Sequence, residues 1–297
     1  MLSHRLPDPL EAGHVSGPGI ETTFIHAFSR EEYYYPKHAT PYLLVCNFGQ
    51  AGNYLLNGQQ VRADEQLFYF LNAGDELEIR YEGRLARETL LILFDAGMVE
   101  QAVDAMVHTP QDLLDRPMES RGERTLIPPL PFAYTTGFRQ MLDRIRSWDR
   151  RGNHMAEAFA DEVLAEFFRL HKGANTEMRK LSAAKSVTRQ ELYRRLVIAR
   201  AFMEERFSEP LTIAEIAREA CLNRYYFIEL FRTAFGVTPH QYLRRKKLEN
   251  AHRLLQTGEY SVTAVCHLAG FQSVASFTNL FRRTFGQTPS EAAMHPS

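Results

Sequence analysis

Residues 211–239 read LTIAEIAREACLNRYYFIELFRTAFGVTP, and residues 261–289 read SVTAVCHLAGFQSVASFTNLFRRTFGQTP. The second stretch is a copy of the first. Phe235-Gly236-Val237-Thr238-Pro239 returns as Phe285-Gly286-Gln287-Thr288-Pro289, Phe231 as Phe281 and Phe227 as Phe277. One inserted residue in the turn then brings Ile216 onto Val265 and Ala217 onto Cys266. Two copies make a duplicated module, since a solenoid needs at least about three repeats.

Each copy reads as helix, tight turn, helix. Thr212 and Glu215 have the spacing of a capping box, and Ile213, Ile216 and Ala217 follow on one face. Cys221-Leu222-Asn223 breaks the pattern, after which Phe227, Leu230, Phe231 and Phe235 fall at helical spacing. The second copy turns at Gly270, where a left-handed backbone costs glycine little, and then buries Phe277, Leu280, Phe281 and Phe285. Two short helices about a three- or four-residue turn form a helix-turn-helix, whose second helix enters the major groove of DNA.

Steps of 100° place Tyr225, Glu229, Arg232 and Thr233 opposite the phenylalanines of the first copy. Ala275, Asn279, Arg282 and Arg283 lie opposite those of the second. Small, amide and cationic side chains suit base edges and phosphates. The bland alternative is a solvated face on a plain helical pair; two copies with one shared ending favour the DNA reading. Between them, Thr238, Pro239 and Gln241 supply a cap, a first-turn proline and a capping-box partner for a helix to about Gln256, with Gly258 as the stop. A rod of 18 residues spans roughly 27 Å, which suits modules set in successive turns of one duplex face, about 34 Å apart.

These residues resemble the AraC/XylS family of transcription regulators. The likeness rests on the duplicated motif, the FGxTP endings, and the helix Pro239–Gln256 with Arg244-Arg245-Lys246-Lys247-Leu248, and it covers about the last hundred residues. It implies two helix-turn-helix units gripping one site on double-stranded DNA, preceded by a regulatory domain, often a cupin-like barrel that senses a small molecule. It also implies contacts with RNA polymerase, as an activator makes. The matching positions assign DNA contact to Arg224, Tyr225, Ile228 and Glu229 in the first unit. In the second they assign it to Ser273, Ala275, Ser276 and Asn279, and Arg232 and Arg282 add cationic contacts. Family members often carry Gln or Arg where Ile228 and Glu229 stand, so the target sequence stays open.

The chain has 297 residues, room for two domains with their own cores. It is 44% apolar and 24% charged, as an ordinary soluble protein is. No run approaches the roughly 18 apolar residues of a membrane span, and the start lacks the apolar core of a signal peptide. Cys46, Cys221 and Cys266 are scattered without metal-ligand spacing and read as buried thiols of a cytoplasmic protein. The net charge of −1 conceals an asymmetry. Residues 1–175 hold 17 Lys/Arg against 25 Asp/Glu, a balance of −8; the remainder holds 18 against 11, a balance of +7. Only the carboxyl half is suited to a polyanion.

The expected class is α+β. Residues 1–20, rich in Pro and Gly, read as an irregular arm, and residues 21–95 alternate as strands. Strands are expected at 20–28, 42–48, 53–56, 60–62, 66–71, 77–81 and 88–94, with Asn57-Gly58 as a hairpin turn. The array resembles the family's cupin-like sensor barrel, with Ala63-Asp64-Glu65 where such barrels often carry Pro-Gly-Asp. Many cupins are metal enzymes, which makes that the rival function. His26 and His38 are the only histidines of the strand region, too few for a conventional cluster, so no metal, no cofactor and no enzyme activity are expected. If the barrel has an effector, Tyr42, Tyr54 and Tyr69 on adjacent strands are the candidates to line its cavity; otherwise the barrel only dimerises.

Residues 96–172 turn helical. A short helix is expected at 98–108; Phe138, Leu142, Ile145 and Trp148 mark a second after the Pro128-Pro129-Leu130-Pro131 stop, and a third runs from 153 to 171. The family resemblance implies that this segment pairs two copies as a homodimer; the alternative is that its helices only cover the barrel and complete its core. Residues 173–187 read as a polar linker, and 188–297 as the DNA-binding domain, opened by a helix capped by Thr188 and Glu191. That helix is expected to present Leu192, Leu196, Ala199, Phe202 and Met203 on one side. The sequence thus predicts a cytoplasmic, sequence-specific transcription regulator.

Overall fold

The structure, a computed structural model, describes residues 2–3, 6, 21–81, 83, 86–107, 127–128, 130–147, 156–183 and 185–294. The chain divides into two compact units, Met1–Thr176 and Glu177–Ser297.

The first unit holds ten strands among its described residues: β1 Leu2–Ser3, β2 Thr23–Ser29, β3 Tyr33–Ala39, β4 Tyr42–Gly49, β5 Gly52–Leu56, β6 Gln59–Ala63, β7 Leu67–Leu71, β8 Glu76–Tyr81, β9 Arg87–Phe94 and β10 Pro131–Ala133. Helix α1 (Ala96–Val107) precedes β10; α2 (Thr136–Arg146) and α3 (Ala156–Arg179) follow it. The strands form two sheets, ordered β1-β2-β9-β4-β7-β10 and β3-β8-β5-β6, antiparallel except where β1 meets β2.

Burial patterns explain the layering. β5 alternates buried and exposed, as a strand with one wet face must, whereas β4, β7 and β9 are almost wholly buried. On one face of the larger sheet Leu43, Val45, Tyr69, Leu71, Leu91 and Leu93 pack with Tyr54, Leu56, Ile79 and Tyr81 of the smaller. On the other, Phe70 stacks on Phe167 of α3 at 4.2 Å and Phe68 packs on Phe138 of α2 at 4.8 Å. The central strands are therefore apolar on both faces.

The expected hairpin is present: Asn57 and Gly58 both take positive φ, 48° and 78°, as a type I′ turn requires. Strand β3 is not among the expected strands, and it contains Pro36, which has no amide to give a ladder. The fold admits it by placing β3 at a sheet edge, with a register shift between Tyr35 and His38. β10 is likewise an edge strand that begins on a proline, inside the stretch read as a stop. β1 lies in the arm expected to be irregular. Phe138, Leu142 and Ile145 are buried as expected; Trp148 lies outside the described residues, as does His108.

Helix α3 continues to Arg179, past the expected end at His171 and into the stretch read as linker. Gly173 and Asn175 suggested a break, but one helical glycine costs only about 1 kcal/mol. The next helix, α4 (Ser186–Arg206), starts three residues before the expected Arg189. Its N-cap is Lys185, so the Thr188–Glu191 capping box does not form. Glu191 instead accepts from Arg194 and Arg195, and these pairs hold its pKa down at about 2.

The second unit continues with α5 (Ile213–Glu219), α6 (Arg224–Phe235), α7 (Pro239–Gln256), α8 (Val262–Leu268), α9 (Val274–Phe285) and α10 (Pro289–Met294). Leu196, Ala199 and Met203 of α4 are buried as expected, while Leu192 and Phe202 are half-buried and Tyr193 and Val197 take the inner positions. Helix α7 serves two cores. Near its start Tyr242 meets Phe231 edge-on at 5.7 Å; further along Leu248, Ala251 and Leu255 pack with Val265, Cys266, Phe277 and Phe281.

Candidate nucleic-acid interface

The duplicated helices are built by matching local signals. Thr212 Oγ1 accepts from Glu215 N while the Glu215 carboxylate accepts from Thr212 N, so the expected capping box closes. The backbone amide of Thr212, then its hydroxyl, hold the Glu215 carboxyl below the usual range. Thr238 and Gln241 close a second box at the start of α7, with Pro239 in the first turn. Asn223 caps α6 and Ser273 caps α9 through side-chain oxygens; Gly236 and Gly286 end them at φ of 77° and 75°.

Each turn is anchored from behind at the same point of the repeat. Arg195 of α4 donates to Cys221 O at 3.1 Å, and Lys247 of α7 donates to Gly270 O at 3.0 Å. Partial burial lowers the pKa of Lys247. Cys221 and Gly270 both have positive φ, 50° and 75°. Cys266 is buried as expected, but Cys221 is exposed, contrary to the reading of a core thiol. The turn needs a left-handed residue there, and that geometry aims the side chain outward.

The apolar sides of both second helices are closed. Phe227, Phe231, Phe277 and Phe281 are fully buried, while Leu280 and Phe285 are half-buried. Arg224, Tyr225, Glu229 and Arg232 are exposed on α6, with Ile228 half-buried, and Tyr225 is 84% exposed. Tyr225, Ile228, Glu229, Arg232, Thr233 and Thr238 surround an open concavity of about 530 Å³. On α9 Ala275, Ser276, Asn279 and Arg282 are exposed, as is Ser273, whose hydroxyl accepts from Ser276 N at 3.4 Å. The structure thus brings the ten residues together as two outward faces. Tyr226 and Val274, both exposed in the first helical turn, were missed. The internal alignment carried the signal, because Tyr226 is the counterpart of Ser276 and Val274 of Arg224.

The three tyrosines do not converge. Tyr54 and Tyr69 point between the sheets, but Tyr42 packs on Phe70 on the opposite face of the larger sheet. Side chains alternate along a strand, so Tyr42 cannot share the face of Val45, which pairs with Tyr69. The Tyr54 hydroxyl lies 2.7 Å from both the Asn47 carboxamide and the Tyr81 hydroxyl, and Tyr81 lies 2.9 Å from Thr89 Oγ1. Burial pushes the Tyr54 and Tyr81 pKa values upward, so both stay neutral donors. Between the sheets Ile25, Tyr35, His38, Leu43 and Leu91 border a space of about 30 Å³, well below the roughly 300–1,000 Å³ of small-molecule sites. His26 and His38 do not meet either. His26 Nε2 is 2.8 Å from Glu88, whereas His38 Nδ1 is 3.0 Å from the Pro36 carbonyl on the other sheet. Among the described residues no three His, Cys, Asp or Glu side chains converge on a metal position.

Two capped helix-turn-helix units with buried phenylalanine faces and polar outer faces define a double-headed module of the DNA-binding kind. Residues 216–294 match the family model described as a helix-turn-helix domain. The virulence regulon transcriptional activator VirF of Yersinia enterocolitica is 37% identical over 93 residues, 31% of this chain and 34% of that protein. The HTH-type transcriptional regulator ExsA of Pseudomonas aeruginosa is 33% identical over 107 residues, 36% of this chain and 38% of that protein. The DNA-binding domain of AdpA, solved in complex with a target DNA, is 31% identical, with a TM-score of 0.32; the match covers 33% of this chain and 89% of that one. The carboxyl-terminal region therefore belongs to the AraC-type helix-turn-helix domains. The chain spans about a third of the length of the curated relatives it matches.

Proposed function

We propose that the protein is a cytoplasmic, sequence-specific transcription regulator that acts on double-stranded DNA through both second helices. The observation that carries this is the pair of outward faces on α6 and α9, held in one unit by the shared helix α7. The +7 balance of residues 176–297 supplies the affinity for phosphate, and base edges supply specificity. Base reading falls to Tyr225, Ile228, Glu229, Ala275, Ser276 and Asn279. Arg224 joins them in base reading, Arg232 and Arg282 serve phosphates, and Ser273 acts mainly as a helix cap. RNA polymerase is the further partner this reading implies. A fragment spanning Glu177–Ser297 should bind duplex DNA with an affinity that falls steeply with salt. A folded fragment without salt-dependent binding would overturn the reading.

Two antiparallel sheets sharing one core support a cupin-like regulatory domain. A space of about 30 Å³ favours the version in which the interior holds no effector and the domain acts as a scaffold. Pairing of two copies through residues 96–172 belongs to the same proposal. The apolar sides of α2 and α3 are taken up by their own sheet, so pairing would use their charged outer faces, where Arg144 meets Glu162 and Arg169 meets Glu166. Sedimentation of the full chain measures it, and a monomer at micromolar concentration would remove it.

A further inference from the structure

The first unit carries a cationic groove away from the space between its sheets. Strands β2, β9 and β4 lie side by side, and their register sets Phe28 and Phe48 on either side of Glu88. Helix α2 runs beside this end and contributes Arg139 and Arg146; Arg30 and Arg87 complete the lining of a concavity of about 490 Å³. That volume is of the order of known small-molecule sites.

The charges of the groove fall into a spent group and an available group. Arg146 grips Glu88 through both guanidinium arms, at 2.5 and 2.6 Å, stacks over Phe48 at 4.1 Å and also reaches Asp143. Burial alone would raise the Glu88 pKa, but hydrogen bonds from Arg146 and His26 outweigh it, so the carboxylate stays ionised and fully engaged. Arg139 lies over the Tyr134 ring and donates to the Glu65 carbonyl. Among the described residues neither Arg30 nor Arg139 has a carboxylate within ion-pair distance. Arg87 turns its guanidinium over Tyr81 between the sheets, so Arg30, Arg139 and Arg146 against Glu65 and Glu88 leave the groove at +1, inside a half-chain whose balance is −8. Phe28 stands at the rim, 73% exposed, offering a flat apolar face.

We propose that this groove binds a phosphomonoester with a flat apolar body, its phosphate on Arg30 and Arg139 and its body against Phe28. The two arginines without a carboxylate partner, Arg30 and Arg139, decide for a phosphate over a carboxylate, since a phosphomonoester carries about −1.5 to −2 at neutral pH and takes both. Planar guanidinium forks match phosphate oxygens, and Arg30 and Arg139 stand as two separate donors. The site is independent of the DNA-binding reading, because neither its residues nor its test involves α6 or α9.

Calorimetric titration of the full chain with phenyl phosphate, inorganic phosphate and benzoate tests it. Phenyl phosphate should bind saturably and more tightly than either of the others. Arg30→Gln should weaken it about tenfold, as the loss of one charged hydrogen bond does, and Phe28→Ala should weaken phenyl phosphate while leaving inorganic phosphate unchanged. Arg139→Gln should match Arg30→Gln; because Arg139 packs on Tyr134, its thermal melt is compared first, and the exposed Arg30 keeps the test valid if that variant unfolds. Absence of saturable heat with phenyl phosphate overturns the proposal. So does benzoate binding as tightly as phenyl phosphate, or affinity that ignores Arg30→Gln.

Discussion

The two helix-turn-helix copies agree inside and differ outside. Phe227 and Phe277, and Phe231 and Phe281, are fully buried in matching positions, and each turn carbonyl receives a cation from a supporting helix. Outside, the first copy offers Tyr225, Glu229 and Arg232, and the second offers Ala275, Asn279 and Arg282. The turns diverge as well. A Cβ on Gly270 would sit 2.5 Å from Ser208 O and 3.0 Å from Lys247 Nζ, whereas Cys221 already carries its side chain into solvent. Repetition therefore marks what the module needs in order to fold, and divergence marks where its halves can take different tasks. The second copy is pressed against the loop after α4, and the first is not constrained at the equivalent point.

The largest expected effect tests the shared interior. Phe231→Ala and Phe281→Ala should each destabilise the second unit by about 3–5 kcal/mol in urea melts, the range for buried phenylalanine. Nearly equal losses would support equivalence, and a loss below about 1 kcal/mol at either site would break it.

The turns should separate the copies at intermediate size. Gly270→Ala meets both a left-handed backbone and a fixed carbonyl, so about 2 kcal/mol or more of stability should be lost. Cys221→Gly relieves a left-handed side chain but loosens the unfolded chain, so its melt should move by less than about 1 kcal/mol. Equal effects at both turns would mean that the contact with Ser208 is immaterial.

The smallest effects concern division of labour on DNA. Asn279→Ala should cost roughly 1–3 kcal/mol on a specific operator and almost nothing on random duplex, since its amide can pair with adenine N6 and N7. Arg282→Ala should weaken both duplexes alike and lower the salt slope by about one unit. Titrations of both variants at several salt concentrations measure this. Equal loss on both duplexes for Asn279→Ala would make the second copy a clamp and leave reading to Arg224, Tyr225 and Glu229.

What was legible in the chain was local. Thr212 with Glu215 and Thr238 with Gln241 act within one helical turn, so spacing alone reveals them. The buried phenylalanines follow from periodicity and were confirmed twice over by the repeat. What was not legible depends on distant partners. Pro36 and Pro131 are compatible with strands only because β3 and β10 lie at sheet edges, and an edge is a property of the assembled sheet. Thr188 matched the capping pattern, but Glu191 found two arginines further along the helix instead. Tyr42 and Tyr69 sit on neighbouring strands, yet only the register reveals that they face opposite ways. The groove at Phe28 and Arg30 left no local trace, since α2 meets the strands across about a hundred residues.

The outward thiol of Cys221 gives the protein a built-in attachment point for a spectroscopic label. Cys46 is sealed within the first unit, where burial pushes its pKa up to about 12, and Cys266 is buried beneath the second copy with its pKa also raised by burial. Thiolate is the form that reacts with maleimides. A maleimide dye should therefore settle on one side chain of the unaltered sequence, two residues before the cap of α6. Its emission would report locally on the first recognition helix, with the second copy silent, and no cysteine would have to be removed.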